Sequence, residues 1–161
     1  MKGNYETIVH PLKPLYDEDS KILILGSFPS VKTREYGFFY GHPQNRFWKL
    51  MERLFDVDLD VSIEERKRFL LEHNIAVYDS IYQCDIIGSS DSSIKNVVPS
   101  NLKGIVDCAD INHVGVITAG MVLAFTNLMN GVLQPIASLP QMQLKTNTTK
   151  MVILQQMRQK K

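Results

Sequence analysis

His42, Gln44 and Asn45 lie close together in Gly41-His-Pro-Gln-Asn-Arg-Phe-Trp48, a polar turn that runs into an amphipathic segment. An imidazole titrates near neutral pH, and amides donate and accept hydrogen bonds, so the turn could hold a ligand or place a water. Each residue also has a plainer role. A lone histidine is more often structural than catalytic, and Asn45 or Gln44 reads equally well as the cap of the helix that follows. The aromatics just before the turn, Tyr36, Phe38, Phe39 and Tyr40, tilt the group toward a binding wall. A second block, Gly26-Ser-Phe-Pro-Ser30, ends the apolar run Ile22–Leu25. A buried strand ending in a Gly/Pro loop and returning through a polar helix entry is how α/β proteins build a ligand crevice. A third cluster, Asp85 to Asn96, carries Ser89, Ser90 and Ser92. Hydroxyls and backbone N–H groups there suit phosphate oxygens, although composition alone reads as a surface loop. The chain has no Walker loop, no dinucleotide fingerprint and no Ser/His/Asp order, and Gly26-x-x-x-Ser30 lacks the nucleophile-elbow form.

The elements that must position these residues are legible in outline. Residues 5–20 read as an extended entry broken by Pro11 and Pro14. Lys21–Leu25 is a strand apolar on both faces, as in a central parallel sheet. Residues 26–46 read as a long loop, a length that is usually functional. Phe47, Leu50, Met51 and Leu54 form the stripe of a helix over 46–55. Ser62-Ile-Glu-Glu65 has capping-box spacing, so a helix starts at Asp60 or Ser62 and runs to about His73, with Phe69 and Leu70 inward. Asn74–Asp79 is a turn and strand, 101–109 a short helix and 113–118 a third strand. This alternation predicts an α/β fold, a three-layer α/β/α sandwich around a mostly parallel central sheet.

At 161 residues the chain fits one domain with its own core. A net charge of +1 gives no argument from gross basicity for nucleic acid, though a local patch can suffice. Two distant cysteines, Cys84 and Cys108, read as reduced thiols and argue against a zinc site. No apolar leader or membrane-length run is evident, so a soluble cytoplasmic protein is expected. A monomer without metal or cofactor is expected as well. The charge is unevenly spread. All seventeen Asp and Glu fall at or before Asp110, and the basic residues beyond it are Lys145, Lys150, Arg158, Lys160 and Lys161.

Taken together, Gly26-Ser-Phe-Pro-Ser30, Gly41–Trp48, Ile75-Ala-Val-Tyr-Asp79 and Cys84–Ile94 resemble the uracil-DNA glycosylase superfamily, and most closely its deoxyinosine (hypoxanthine) DNA glycosylase branch. The resemblance runs from about His10 to about Val116. It implies an α/β/α fold, no metal, and hydrolysis of the N-glycosidic bond of a deaminated base flipped out of DNA, with deoxyinosine-containing DNA as the partner. It places Gly26, Ser27, Phe28 and Pro29 on the pocket, with Tyr40, His42 and Gln44 beside them and Tyr40 as the base-stacking aromatic. Most of the superfamily has Asp or Asn where this chain has Phe28, a loss that the deoxyinosine branch shares. The catalytic amide then falls to Asn45, which is a poor base and would position water or bond to the leaving base. Ser30, Ser89, Ser90 and Ser92 become candidates for DNA phosphates. Two alternatives stay open: a mismatch-specific uracil glycosylase, against which Phe28 argues, and a non-catalytic remnant that binds DNA.

The resemblance stops in the tail. The family's Ser-Pro-Ala-Asn-type loop is expected after Leu139-Pro140, where this chain has Gln141-Met-Gln143. In the frame starting at the third base of each codon, Gln-Met-Gln gives Asn or Asp and then Ala, and the positions before can read Ser-Pro-Ala. The same frame allows Asn-Gly-Gly from Thr118 and Phe-Tyr-Lys-Leu-Tyr-Glu from Phe125. A frameshift after about residue 113–117 is therefore expected, dividing the chain into a glycosylase-like domain over 1–117 and an atypical segment over 118–161.

Overall fold

A computed structural model describes residues 3–117. The expected domain boundary and the reframed tail over 118–161 lie outside the described residues. The described chain is mixed α/β, in the order β1 (Glu6–Val9), β2 (Ile22–Gly26), α1 (Val31–Tyr36), α2 (Arg46–Phe55), α3 (Ile63–Glu72), β3 (Ile75–Asp79), β4 (Ile81–Ile86), β5 (Lys95–Pro99), α4 (Lys103–Cys108) and β6 (His113–Val116).

The strands form two sheets. In the first, β2 lies between β3 and β6, and both pairings are parallel. Leu23, Ile24, Leu25, Ile75, Ala76 and Val77 are almost wholly buried, which is what an apolar run on both faces of a central strand requires. The second sheet, β1-β4-β5, is antiparallel. Half of the described strands therefore lie outside the expected parallel sheet. The segment expected to be a polar surface loop supplies β5 and a single 3-10 turn at Asp91–Ser93. β5 is mostly exposed along its length, so it carries no apolar alternation to announce it. Asp85 on β4 joins the three strands, accepting from Thr7 of β1 and from Asn96 of β5 at 2.6 Å each.

α2 and α3 begin where their caps predict. The Asn45 side chain accepts from the Phe47 N–H at 2.9 Å, and that of Ser62 accepts from the Glu65 N–H at 3.3 Å. Phe47, Trp48 and Met51 are the fully buried face of α2. Trp48 is more deeply buried than the predicted stripe allows for, because its indole N–H donates to the Phe39 carbonyl at 3.3 Å. Phe69 and Leu70 turn inward on α3 as expected. α1 interrupts the stretch that reads as a long loop: six residues inside a Gly- and aromatic-rich segment are too few for a periodic signal. Its cap is Ser30, whose hydroxyl oxygen accepts from the Thr33 N–H at 3.2 Å. Ser30→Ala is expected to cost about 1 kcal/mol of stability, read as a lower urea midpoint at unchanged slope.

Candidate active site

β2 and β3 run parallel and in register, so Gly26 and Asp79 are partners at the carboxyl ends of neighbouring strands. Ligand crevices of open α/β sheets form at such ends. A cavity of about 500 Å³ opens there, within the range of small-molecule sites. It brings together nine of the residues singled out from the sequence: Gly26, Ser27, Phe28, Pro29, Ser30, Tyr40, Gln44, Asn45 and Ser89. His42, Ser90 and Ser92 are not on its lining. The His42 ring nitrogen Nδ1 instead accepts from the Gln44 N–H at 3.1 Å, which shapes the turn. Ser90 and Ser92 are exposed and bond to each other at 3.0 Å.

The loop after β2 is pinned at several points. The Ser80 N–H donates to the Gly26 carbonyl and the Ile81 N–H to that of Ser27. The Arg34 guanidinium donates to the Pro29 carbonyl at 2.9 Å, and the Val31 N–H donates to the Ser89 hydroxyl at 2.9 Å. The turn before α2 is tight. Tyr40 sits at φ 56°, in the left-handed region that side chains rarely adopt, and such strain clusters at functional sites. A Cβ on Gly41 would lie 2.2 Å from the Tyr36 ring, so only glycine allows that close approach. The Tyr40 ring stacks on Phe47 at 4.1 Å.

Asn45 has the double position that its sequence context left open. It lines the cavity and it caps α2. Its carbonyl oxygen is engaged by the Phe47 N–H, and its amide N–H groups carry no hydrogen bond to the described residues. The N-terminus of a ten-residue helix, with its positive dipole end, stands behind it and favours negative charge developing there.

Sequence reasoning missed the acidic floor of the site. Asp79 lines the cavity, as does Asp91 from the 3-10 turn. Behind Asp79 stands His10, whose Nε2 lies 2.7 Å from Oδ2. The two side chains are 0% (His10) and 7% (Asp79) exposed. Phe28, the residue that departs from the common superfamily pattern, packs edge-on to the His10 ring at 5.7 Å. One signal was available: Asp79 ends an otherwise apolar strand, and a carboxylate there needs a partner. His10, sixty-nine residues away, could not be matched to it without the β1–β4 pairing.

Charges on the floor interact. Burial, and secondarily the Asp79 carboxylate, holds the Tyr40 phenol well above its ordinary range, so it stays protonated. Partial burial and Asp79 also push the Asp91 carboxyl up, partly offset by a hydrogen bond with the Ser27 side chain. A carboxyl with a raised folded-state value destabilises the fold at higher pH. That penalty fades as pH falls through the raised value, and it is gone below the ordinary value of 3.8. Asp91→Asn is therefore expected to melt slightly higher than the parent at pH 7 and level with it near the bottom of that window.

No protein-family model matches the chain. The described fold is a mixed α/β arrangement shared with a solved structure. The chain superposes on a solution NMR structure of a candidate uracil DNA glycosylase from Methanosarcina acetivorans with a TM-score of 0.60, covering 90% of this chain and 94% of that one at 22% identity. In sequence, the chain is a relative of two proteins named hypoxanthine DNA glycosylase. With that of Methanosarcina barkeri it shares 34% identity over 87 residues, 52% of this chain and 53% of the relative. With that of M. acetivorans it shares 34% over 90 residues, 55% and 57%. The chain thus spans about half the length of the curated relatives it matches. The branch read from the motifs is the one these relatives support. Among the described residues no helix is long and apolar enough to cross a membrane, and no cluster of His, Cys, Asp and Glu could hold a metal ion.

Proposed function

We propose that this protein is a DNA glycosylase that hydrolyses the N-glycosidic bond of a deaminated base, hypoxanthine in deoxyinosine, in DNA. The observation that carries this reading is the convergence of the Gly26–Ser30 loop and the Gln44–Asn45 helix entry on one crevice, in a chain related to hypoxanthine DNA glycosylases. A base cannot be reached inside a duplex, so the nucleotide must turn out into such a pocket. The rings of Phe28, Phe39, Tyr40 and Phe47 give it apolar walls. Ser89 on the lining, with Ser90 and Ser92 on the exposed loop next to it, would offer hydroxyls to backbone phosphates, which need donors rather than sequence-specific groups.

The reaction breaks the bond between C1′ and the base nitrogen, and the electron pair leaves with the base. Water oxygen then bonds to C1′, and its proton passes to the departing base or to solvent. The Asn45 amide serves this step as a donor: it bonds to the base as negative charge grows on it, or holds the attacking water by its oxygen. The α2 dipole acts in the same direction. Deaminated-base choice, DNA as partner and action as a monomer all belong to this proposal.

The test uses three labelled duplexes, containing one deoxyinosine, one deoxyuridine, or neither, each incubated with the full chain and then cleaved at abasic sites by alkali. Scission of the deoxyinosine strand alone is expected. Scission of the deoxyuridine strand alone would support a uracil glycosylase instead. Binding without scission would leave only a DNA-binding protein.

A further inference from the structure

Tyr40 and Asp79 offer the cavity two polar groups of opposite kind, side by side. The Tyr40 hydroxyl is buried and has no hydrogen-bond partner among the described residues. Asp79 spends Oδ2 on His10, and Oδ1 turns toward Gly26. A point one Cβ away from Gly26 lies 2.1 Å from Oδ1 and 3.7 Å from the Tyr40 oxygen. The donor and the acceptor are thus neighbours without bonding to each other. A buried hydroxyl without a partner is uncommon, because leaving it unpaired is costly. The simplest reason for it is a partner that arrives with the ligand.

His10 fixes this arrangement. Its side chain is wholly buried among the Phe28, Phe39 and Tyr78 rings. Its Nδ1 faces the backbone of Leu12, with the N–H at 3.2 Å and the carbonyl at 3.0 Å. The tautomer in which Nδ1 accepts from the Leu12 N–H carries its proton on Nε2, facing Asp79 Oδ2. The carboxylate cannot turn away without breaking that bond.

We propose that His10, Asp79 and Tyr40 form a fixed polar relay on the pocket floor that reads the lactam edge of the extruded base. Asp79 Oδ1 accepts the ring N–H, the Tyr40 hydroxyl donates to the adjacent carbonyl, and His10 is the positioning residue behind them. This rests on the glycosylase reading and deepens it. Deamination turns an amidine edge into a lactam: adenine presents an acceptor at N1, where hypoxanthine presents a donor. Phe47 already covers one face of the Tyr40 ring. The relay therefore assigns Tyr40 the edge of the base rather than the stacking face that the family resemblance implies. The Tyr40 donor also meets the carbonyl on which charge accumulates as the base leaves.

The test compares single-turnover excision of hypoxanthine and of 1-methylhypoxanthine, whose ring N–H is replaced by a methyl group, from otherwise identical duplexes by the full chain. The relay predicts that the methylated base leaves at least about 10²-fold more slowly, since a site built to hydrogen-bond an N–H rejects an analogue lacking it. Tyr40→Phe is expected to lose about 10-fold or more on hypoxanthine while melting no lower than the parent, because it deletes only an unpaired hydroxyl. His10→Phe is expected to narrow the ratio between the two bases, a readout that a merely structural histidine would not move. Equal excision of both bases overturns the relay and leaves the glycosylase reading standing, as does a fully active Tyr40→Phe. Excision of neither base overturns both.

Discussion

Replacing Asn45 with serine is expected to slow base release from deoxyinosine-containing DNA by about 10²–10³-fold while leaving the fold intact. The choice of serine matters. Asn45 caps α2 by accepting the Phe47 N–H, and serine is as good a cap, so stability should change by only about 0.3 kcal/mol. What serine removes is the amide N–H donor of a residue that lines the cavity. Asn45→Ala removes both, and should add about 1 kcal/mol of destabilisation to the same loss of rate. Single-turnover rates and urea midpoints on the two variants separate the roles. If Asn45→Ser excises hypoxanthine as fast as the parent, the amide has no part in the chemistry and Asn45 is a cap alone.

The second large effect is expected at Gly26. An added methyl there would sit 2.1 Å from Asp79 Oδ1 and 3.3 Å from its Cγ, far inside contact distance. The backbone cannot yield easily, since β2 is hydrogen-bonded on both sides in the parallel sheet. The carboxylate must move instead, and it is held by His10 at 2.7 Å. Gly26→Ala is therefore expected to lose about 1–3 kcal/mol from overpacking. It should also lose most of the excision activity, because the displaced acid enters the pocket. Gly37→Ala is the control. Gly37 has φ 83° and open space around it, so alanine there costs about 1 kcal/mol through the backbone alone and should leave excision untouched. Equal activity losses in the two variants would mean that the close approach of Gly26 to Asp79 has no functional weight.

These two positions also show how far the sequence could be read. Gly26 and Asn45 were both visible, one as the end of an apolar run and the other as a polar residue just ahead of an amphipathic stripe. Periodicity places β2, α2 and α3, because their apolar residues recur at the spacing of the element. The same logic fails for β1, β5 and α1. Their stability comes from pairing and from a single cap rather than from a buried stripe, so no local pattern marks them. It fails too for the His10–Asp79 pair. A contact between residues so far apart in the chain depends on β1 pairing antiparallel with β4, directly after β3. Phe28 is the instructive case. From sequence it reads as a pocket residue that has lost the catalytic side chain of its superfamily position. In the fold it also packs on His10, so it helps to seal the buried His10–Asp79 pair that the motif itself does not reveal.

Release of a deaminated base from DNA is the activity proposed for this crevice. The direct measurement is to identify what leaves the DNA. The 161-residue chain is incubated with a duplex carrying one deoxyinosine, and the soluble fraction and the strand are both analysed by mass. The account predicts free hypoxanthine in solution and a continuous strand heavier than the base-free backbone by nothing but the water oxygen and hydrogen now at C1′. An unchanged strand with no free base, from protein shown to be folded, would contradict it.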